Sequence, residues 1–201
     1  MIYILDAGFG NIHSVVRAFK YIGKNVVVTP DLKKVTSKDV IVLPGVGSFA
    51  SAIEKMHSNN VFDRLLDLRQ EKIPFFGICI GLQLLCDSSE ERPGIKGLGL
   101  IPGVVKGFKP DNNYPVPQIG WNSIQVNKNE LQEFSDKYFY FVHSYYVDPV
   151  DKSTVLAETE YGVKFTSMVV QEKLIATQFH PEKSGKTGLR LIKNIMEYLE
   201  K

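Results

Sequence analysis

The first half of the chain alternates apolar runs of strand length with segments of helical periodicity. Apolar residues recur every three to four positions at 11–22, at 62–69 and after Ser48, which can cap a helix ending near residue 58. The apolar runs fall at residues 2–6, 26–28, 40–43 and 73–78. This alternation predicts a parallel sheet of buried strands with helices on both faces.

The second half changes to short runs rich in Val, Ile, Phe and Tyr, separated by turn residues. These runs predict strands at 103–108, 123–126, 138–142, 154–158, 166–171 and 174–178, and residues 184–199 predict a closing helix. No segment is linker-like, repetitive or of low complexity. We therefore predict one α/β domain over residues 1–201, with an open, largely parallel (mixed) sheet and extra antiparallel strands in its second half.

Composition narrows the class of protein. The chain has 201 residues, of which 44% are hydrophobic and 23% charged, as in soluble globular domains. A net charge of +2 gives no reason to expect nucleic acid or an acidic membrane as a partner. No apolar run approaches the roughly 20 residues that cross a bilayer. We expect a soluble, cytoplasmic protein.

The cysteines of the chain, Cys79 and Cys86, fall in one predicted helical stretch. Their spacing on a helix corresponds to about 10 Å along the axis, too far for a disulfide, so a reducing compartment is expected. Cys86 lies among apolar residues and is predicted to belong to the core. No Cys or His spacing matches a zinc site, and no phosphate-binding glycine motif is complete, so neither a metal nor a cofactor is expected.

The segment Gly77-Ile78-Cys79-Ile80-Gly81-Leu82-Gln83 has the composition of a nucleophile elbow. Gly77 and Gly81 flank Cys79 where a sharp strand-to-helix turn leaves no room for Cβ atoms. At the head of a helix, the dipole and free N–H groups would favour a thiolate. A lone cysteine is more often a buried small hydrophobe, but the glycine frame favours a nucleophile. Gln83, one helical turn later, could hold a polar substrate.

A base and its orienting carboxylate are predicted in His180-Pro181-Glu182. In an extended backbone, residues i and i+2 point the same way, so His180 and Glu182 would share a face. Together with Cys79, they indicate a nucleophilic triad. His143 could either end a strand structurally or line the pocket. His13 and His57 have no partner in their helical segments and are predicted to be structural.

Together these motifs resemble the class I, triad-type glutamine amidotransferases, which have a flavodoxin-like α/β fold. Further segments are similar to one branch, the glutaminase subunits of imidazole glycerol phosphate synthase in histidine biosynthesis. They are Asp6-Ala7-Gly8-Phe9-Gly10-Asn11, Pro44-Gly45-Val46-Gly47, Gly120-Trp121-Asn122, Phe141-Val142-His143-Ser144-Tyr145 and His180-Pro181-Glu182-Lys183-Ser184-Gly185. The resemblance covers residues 6–185. Ala7 and Pro117-Gln118-Ile119 depart from the common pattern, which has an aromatic residue and Pro-His-Met there.

The resemblance implies a thioester mechanism. Cys79 would attack the side-chain amide of L-glutamine, His180 would transfer protons, and Glu182 would orient His180. The N–H groups of Val46 and Ile80 would stabilise the oxyanion. Substrate contacts are implied for a further set of residues: Gly47, Gln83, His143, Ser144 and Tyr145. A hypothesis follows for regulation, in which the Gly45–Val46 peptide turns its N–H into the site only when the partner is loaded.

The same resemblance implies a partner, a cyclase subunit with a (β/α)₈ barrel that forms a heterodimer with this chain. Ammonia would pass to it under protection from water and be used to make imidazole glycerol phosphate and an aminoimidazole carboxamide ribotide. The positions that match the partner-facing ones of the family are Asn11, Pro117, Ile119, Trp121, Tyr140 and Lys183. Trp121 has an alternative interpretation, as a core tryptophan.

Three other functions remain open from the sequence. A paralogous amidotransferase subunit could feed ammonia to a different synthase. A cysteine peptidase or deglycase could use a related elbow fold. A non-enzymatic regulatory subunit is the third, although the intact triad argues against it.

Overall fold

One large mixed sheet organises the computed structural model, which describes residues 1–8, 10–110 and 113–201. Within those ranges the sheet has eleven strands. Its parallel half consists of β1 (Ile2–Leu5), β2 (Val26–Thr29), β3 (Val40–Leu43) and β4 (Phe75–Ile78), in the order β2-β1-β3-β4.

The second half of the chain extends this sheet and adds a separate ribbon. Its strands are β5 (Ser88–Ser89), β6 (Gly103–Gly107), β7 (Gln118–Ser123), β8 (Gln125–Val126), β9 (Tyr138–His143), β10 (Tyr145–Pro149), β11 (Val155–Tyr161), β12 (Val163–Gln171) and β13 (Leu174–Thr177). β13 runs parallel to β4, and β12, β10 and β6 continue the sheet in antiparallel pairs. β7 and β9 pair with each other and form the β7–β9 ribbon.

Helices cover both faces of the sheet, as the alternation predicts. They are α1 (Ile12–Tyr21), α2 (Phe49–Ser58), α3 (Phe62–Gln70), α4 (Ile80–Gln83) and α5 (Gly185–Leu199), with short 3₁₀ helices at Asn129–Phe134, Lys152–Thr154 and Pro181–Lys183. Phe76 faces the core under α1 and α5, whereas its neighbour Phe75 faces the core under α2 and α3. Side chains alternate across a strand, so β4 is buried on both sides.

The predicted α/β class and mixed sheet are confirmed, as are the starts of two helices. Asn11 caps α1 by accepting from the N–H of Ser14, and Ser48 caps α2 by accepting from the N–H of Ser51. The strand predicted at 26–28 is present, but its predicted burial is wrong, because β2 lies at the edge of the sheet and its side chains are partly or fully exposed. The strands β5 and β10 and most of β7 were not predicted.

The helix after Cys79 is much shorter than the sequence predicts, and Cys86 lies outside it. α4 has one turn and ends at Gln83. The chain then turns, because the carbonyls of Leu84 and Cys86 accept from Leu98 and Gly99 instead of continuing the helix. Both cysteines are free and buried, and burial raises the pKa of the Cys86 thiol to about 12. No helix of the described residues is long and apolar enough to span a membrane.

The glycines around the turn after β4 are required by close packing, as predicted. A Cβ added at Gly77 would lie 2.9 Å from Cβ of Ala176. A Cβ added at Gly81 would lie only 1.9 Å from the carbonyl oxygen of Leu43, at the end of β3. Main-chain atoms cannot move aside as a side chain can, so Gly81 fixes the distance between α4 and β3.

Gly81→Ala is therefore expected to lower the free energy of unfolding by about 3 kcal/mol, since overpacking of a rigid core costs this order of energy. Urea unfolding followed by circular dichroism measures the loss. Gly107→Ala is the matched control, because the atoms nearest its added methyl belong to side chains, the ring of Tyr145 at 3.3 Å and Oε2 of Glu90 at 3.9 Å. Equal losses in the two variants would contradict the packing argument.

Candidate active site

The site lies where the parallel strands end. The loop at 44–47 follows β3, and the segment 77–81 contains the end of the neighbouring strand β4 and the turn after it, so the two meet at one edge of the sheet. Thr177 of β13 is in register with Ile78 of β4, and its carbonyl accepts from the N–H of Cys79 at 2.7 Å. Residues 178–182 therefore leave β13 directly beside Cys79. Of the third predicted loop, at 8–11, Phe9 lies outside the described residues.

Cys79 occupies the strained turn between β4 and α4. Its backbone has φ of 55° and ψ of −107°, a conformation that residues other than glycine rarely adopt. Such strain is typical of a nucleophile elbow. The expected support from the helix dipole is smaller than predicted, because α4 has a single turn. The sulfur must therefore obtain most of its stabilisation from side chains.

His180 and Glu182 meet as predicted, although the backbone between them differs from the prediction. Nδ1 of His180 lies 2.8 Å from Oε1 of Glu182, and both side chains are 2% exposed. The segment Pro181–Lys183 is a 3₁₀ helix rather than an extended strand. The tight turn brings the carboxylate back to the imidazole because Pro181 begins the helix with its φ already fixed.

The imidazole of His180 is held in its charged form at neutral pH. Burial lowers the pKa of His180, but the neighbouring Cys79 sulfur and the Glu182 carboxylate outweigh it and raise this pKa to about 9. Nδ1 is bonded to Glu182, while Nε2 has no hydrogen-bond partner among the described residues. The second nitrogen is therefore available for proton transfer.

A cavity of about 380 Å³ opens in front of the sulfur. It brings together Cys79, the predicted oxyanion residues, and all of the predicted glutamine contacts. Its lining is Val46, Gly47, Cys79, Ile80, Gln83, Glu91, Pro117, Val142, His143, Ser144, Tyr145 and Lys183. The N–H groups of Val46 and Ile80 have no hydrogen-bond partner within the part of the chain that the structure describes, so both can serve a ligand.

His143 lines the cavity, but its two ring nitrogens bond to the protein. Nδ1 lies 2.8 Å from the carbonyl oxygen of Tyr145, and Nε2 lies 3.0 Å from Oε1 of Gln118. Burial lowers the pKa of His143 to about 4, so the ring is neutral. A carbonyl only accepts, hence Nδ1 carries the proton, and Nε2 is satisfied when the Gln118 amide turns its NH₂ group toward it. This ring positions the Tyr145 backbone.

Three polar residues of the site were missed by the sequence analysis. Gln118 holds His143, and Glu91 places a carboxylate in the cavity while its Oε2 accepts from the N–H of Phe49 at 2.6 Å. Gln178 is fully buried behind Cys79. Strand alternation places residue 178 on the same face as His180, and this signal could have found it. Gln118 and Glu91 carry no such signal.

The β7–β9 ribbon presents apolar side chains to solvent beside the cavity. Ile119 is 63% exposed and Trp121 is 56% exposed, so the alternative of a core tryptophan is wrong. Trp121 meets Tyr140 edge to face, with ring centroids 6.2 Å apart. Of the other predicted partner-facing residues, Asn11 and Pro117 are exposed and Lys183 is partly exposed.

The sequence matches the family described as glutamine amidotransferase class-I over residues 3–198. The fold is similar to that of a solved glutamine amidotransferase, with a TM-score of 0.74 at 18% identity over 98% of each chain. It is also similar to a chain in the structure of PurLQS from Thermotoga maritima, with a TM-score of 0.74 at 17% identity over 98% of this chain and 97% of that one. At these identities the likeness establishes the fold alone.

Relatives of nearly identical length give a finer assignment. Imidazole glycerol phosphate synthase subunit HisH of Methanothermobacter thermautotrophicus is 44% identical over 201 residues, covering 99% of both chains. The same subunit of Acinetobacter baylyi is 39% identical over 203 residues, covering 98% of both. The chain therefore belongs to the class-I glutamine amidotransferase family, within its group of imidazole glycerol phosphate synthase HisH subunits.

Proposed function

We propose that this chain hydrolyses L-glutamine to glutamate and ammonia at Cys79, as the glutaminase subunit of an imidazole glycerol phosphate synthase. The observation that carries the proposal is the buried His180–Glu182 pair beside a cysteine that faces a cavity. The family match over residues 3–198 supports a single amidotransferase domain spanning residues 1–201.

The first half of the reaction is acylation. The Cys79 thiolate attacks the side-chain amide carbon, forming a C–S bond while the carbonyl electron pair moves to oxygen. The N–H groups of Val46 and Ile80 stabilise that oxyanion, and one such donor is typically worth about 3 kcal/mol. His180 then gives its proton to the amide nitrogen, the C–N bond breaks and ammonia leaves.

Deacylation runs through the same groups. Neutral His180 takes a proton from water, which adds to the thioester carbon. Collapse of the second tetrahedral intermediate breaks the C–S bond and returns the electron pair to sulfur. Glu182, bonded to Nδ1 of His180, keeps Nε2 directed at the reaction and stabilises the imidazolium each time it forms.

The cavity offers complementary groups for free glutamine. The NH₂ group of Gln83 is occupied by the Tyr145 carbonyl and by Gln178, which leaves its Oε1 as an acceptor for the substrate. Glu91 supplies a carboxylate for the α-ammonium group, and Lys183, which also lines the cavity, supplies a cation for the α-carboxylate. Gly47, Ser144 and Tyr145 complete the polar wall.

The partner in this proposal is a cyclase subunit with a (β/α)₈ barrel, docked over the cavity. The exposed apolar residues of the β7–β9 ribbon support such an interface, because aromatic anchors concentrate binding energy. The cyclase-facing set comprises Asn11, Pro117, Ile119, Trp121, Tyr140 and Lys183. Docking there would cover the cavity and pass ammonia to the second active site out of contact with water.

Glutaminase activity is expected to be very low for the isolated chain and to rise by about 10² or more when the cyclase and its ribotide substrate are added. The loaded partner would turn the N–H of Val46 into the site, and one oxyanion donor is worth about this factor in rate. Release of glutamate measures the activity. Cys79→Ala should abolish glutamine-dependent turnover while synthesis from ammonium salts continues. Equal rates with and without the cyclase would contradict the turning of the Gly45–Val46 peptide.

Glu182→Gln should reduce stability in a pH-dependent way. The pKa of His180 is about 9 in the folded chain and near 6.5 when unfolded. The contribution of the charged His180 to the free energy of unfolding is therefore complete below about pH 6.5 and is lost as the pH rises through 9. The variant should be less stable than the wild type by about 2 kcal/mol at pH 6.5, and the gap should narrow by pH 9.5.

Urea unfolding of both proteins between pH 6 and 10 measures this gap. Glu54→Gln is the matched control, because it removes an exposed carboxylate that pairs with Arg92. The free energies of unfolding of this variant and the wild type should differ by a small amount that does not vary with pH. A constant gap for Glu182→Gln would show that the carboxylate does not set the charge of His180.

Trp121→Ala is expected to weaken binding to the cyclase about thirtyfold, as for a central aromatic anchor, and to leave the folded state unchanged because the ring is mostly exposed. Calorimetric titration and thermal unfolding measure the two effects. Val150→Ala is the control, since Val150 is 76% exposed and follows the far end of β10 from the cavity. Loss of folding, or unchanged affinity, would contradict the interface.

A further inference from the structure

We propose that Gln178 is a catalytic residue of this site, whose side-chain amide donates a hydrogen bond to the sulfur of Cys79 and holds it as the nucleophilic thiolate. The assignment rests on the proposed function, since it requires Cys79 to be the nucleophile. It adds a neutral donor to a site otherwise described by its sulfur, imidazole and carboxylate.

The position of Gln178 is fixed by the sheet. It directly follows β13, whose last residue is in register with Ile78, so it lies level with Cys79. Its own N–H donates to the carbonyl of Ser167 at 2.8 Å. Its side chain is fully buried, and its Nε2 lies 3.8 Å from Sγ of Cys79. A buried amide costs free energy unless both of its ends are bonded.

The orientation of this amide follows from a chain of hydrogen bonds that begins at a main-chain carbonyl. The carbonyl of Tyr145 can only accept, so the NH₂ group of Gln83 must point to it, at 2.9 Å. The same NH₂ group donates to Oε1 of Gln178 at 3.2 Å. Oε1 of Gln178 is thereby fixed toward Gln83, and its NH₂ group must face the sulfur.

This direction matters because the sulfur has competing neighbours. The carbonyl of Val142, 4.0 Å from Sγ, can accept a thiol proton and so favours the neutral form. The Gln178 amide can only donate in this direction, and such a bond is stronger to an anion than to a thiol. Unlike the imidazole, the amide keeps its protons throughout the reaction, so the sulfur retains one donor at every step.

Alkylation of the isolated chain by iodoacetamide at pH 7 tests the assignment, because the thiolate is the reacting form. Gln178→Met keeps the length of the side chain and removes the donor, and should slow alkylation of Cys79 about tenfold. Gln178→Glu places a carboxylate against the sulfur and should slow it further. Peptide mass mapping distinguishes a label on Cys79 from one on Cys86.

Thr177→Val is the matched control, since it removes a neighbouring buried hydroxyl whose hydrogen bond goes to the carbonyl of Phe179. It should leave the alkylation rate within about twofold of the wild type. In the complex with the cyclase, Gln178→Met should lower kcat by a similar factor with little change in KM. If Gln178→Met does not fold, Gln178→Glu keeps the acceptor for Gln83 and carries the test.

The outcomes separate the two proposals. A Cys79→Ala chain that still releases glutamate from glutamine in the complex with the cyclase would contradict the proposed function itself. A fast wild type with equally fast Gln178 variants would overturn the role of Gln178 and leave the proposed function standing. If Thr177→Val slows alkylation to the same extent, the effect comes from packing, and the role of Gln178 is also overturned.

Discussion

The parallel pairing of β4 with β13 is the constraint on which the site depends. It joins Cys79 to residues 178–182 across about a hundred residues of sequence, and the N–H of Cys79 donates to Thr177 at the end of the shared ladder. Both strands are buried along their whole length. The groups of the site are therefore held together by the burial of these apolar strands.

The same region ties His180 to the β7–β9 ribbon. The N–H of His180 donates to the carbonyl of Tyr140 at 2.9 Å. The hydroxyl of Ser184 accepts from the N–H of Tyr140 at 3.0 Å and donates to the carbonyl of His180 at 2.6 Å. These hydrogen bonds join the backbone of β9 to the backbone of His180. A protein bound to the exposed face of Tyr140 would thus act on a strand bonded directly to His180.

The sequence predicts those features that local pattern and spacing determine. The buried strands β3 and β4, the start of α1 near Asn11, the cap at Ser48 and the glycines around Cys79 all follow from short-range sterics and periodicity. Other features depend on which strands become neighbours. Gln118 meets His143 because of the ladder between β7 and β9, which no local pattern encodes. The edge position of β2 is also a property of strand order, so its exposure was predicted wrongly.

Because α4 is short, the buried amides beside the sulfur matter for the stability of its charge. A single helical turn has a small dipole and cannot by itself stabilise a buried anion. The chain places His180 and Gln178 against the sulfur instead, with Gln83 and the Tyr145 carbonyl behind them. The Tyr145 carbonyl fixes the direction of the Gln83 amide, and Gln83 fixes that of the Gln178 amide. The Gln178 amide therefore resists the reorientation that would remove a donor from the sulfur. Preorganised dipoles of this kind stabilise charge without rearranging during the reaction.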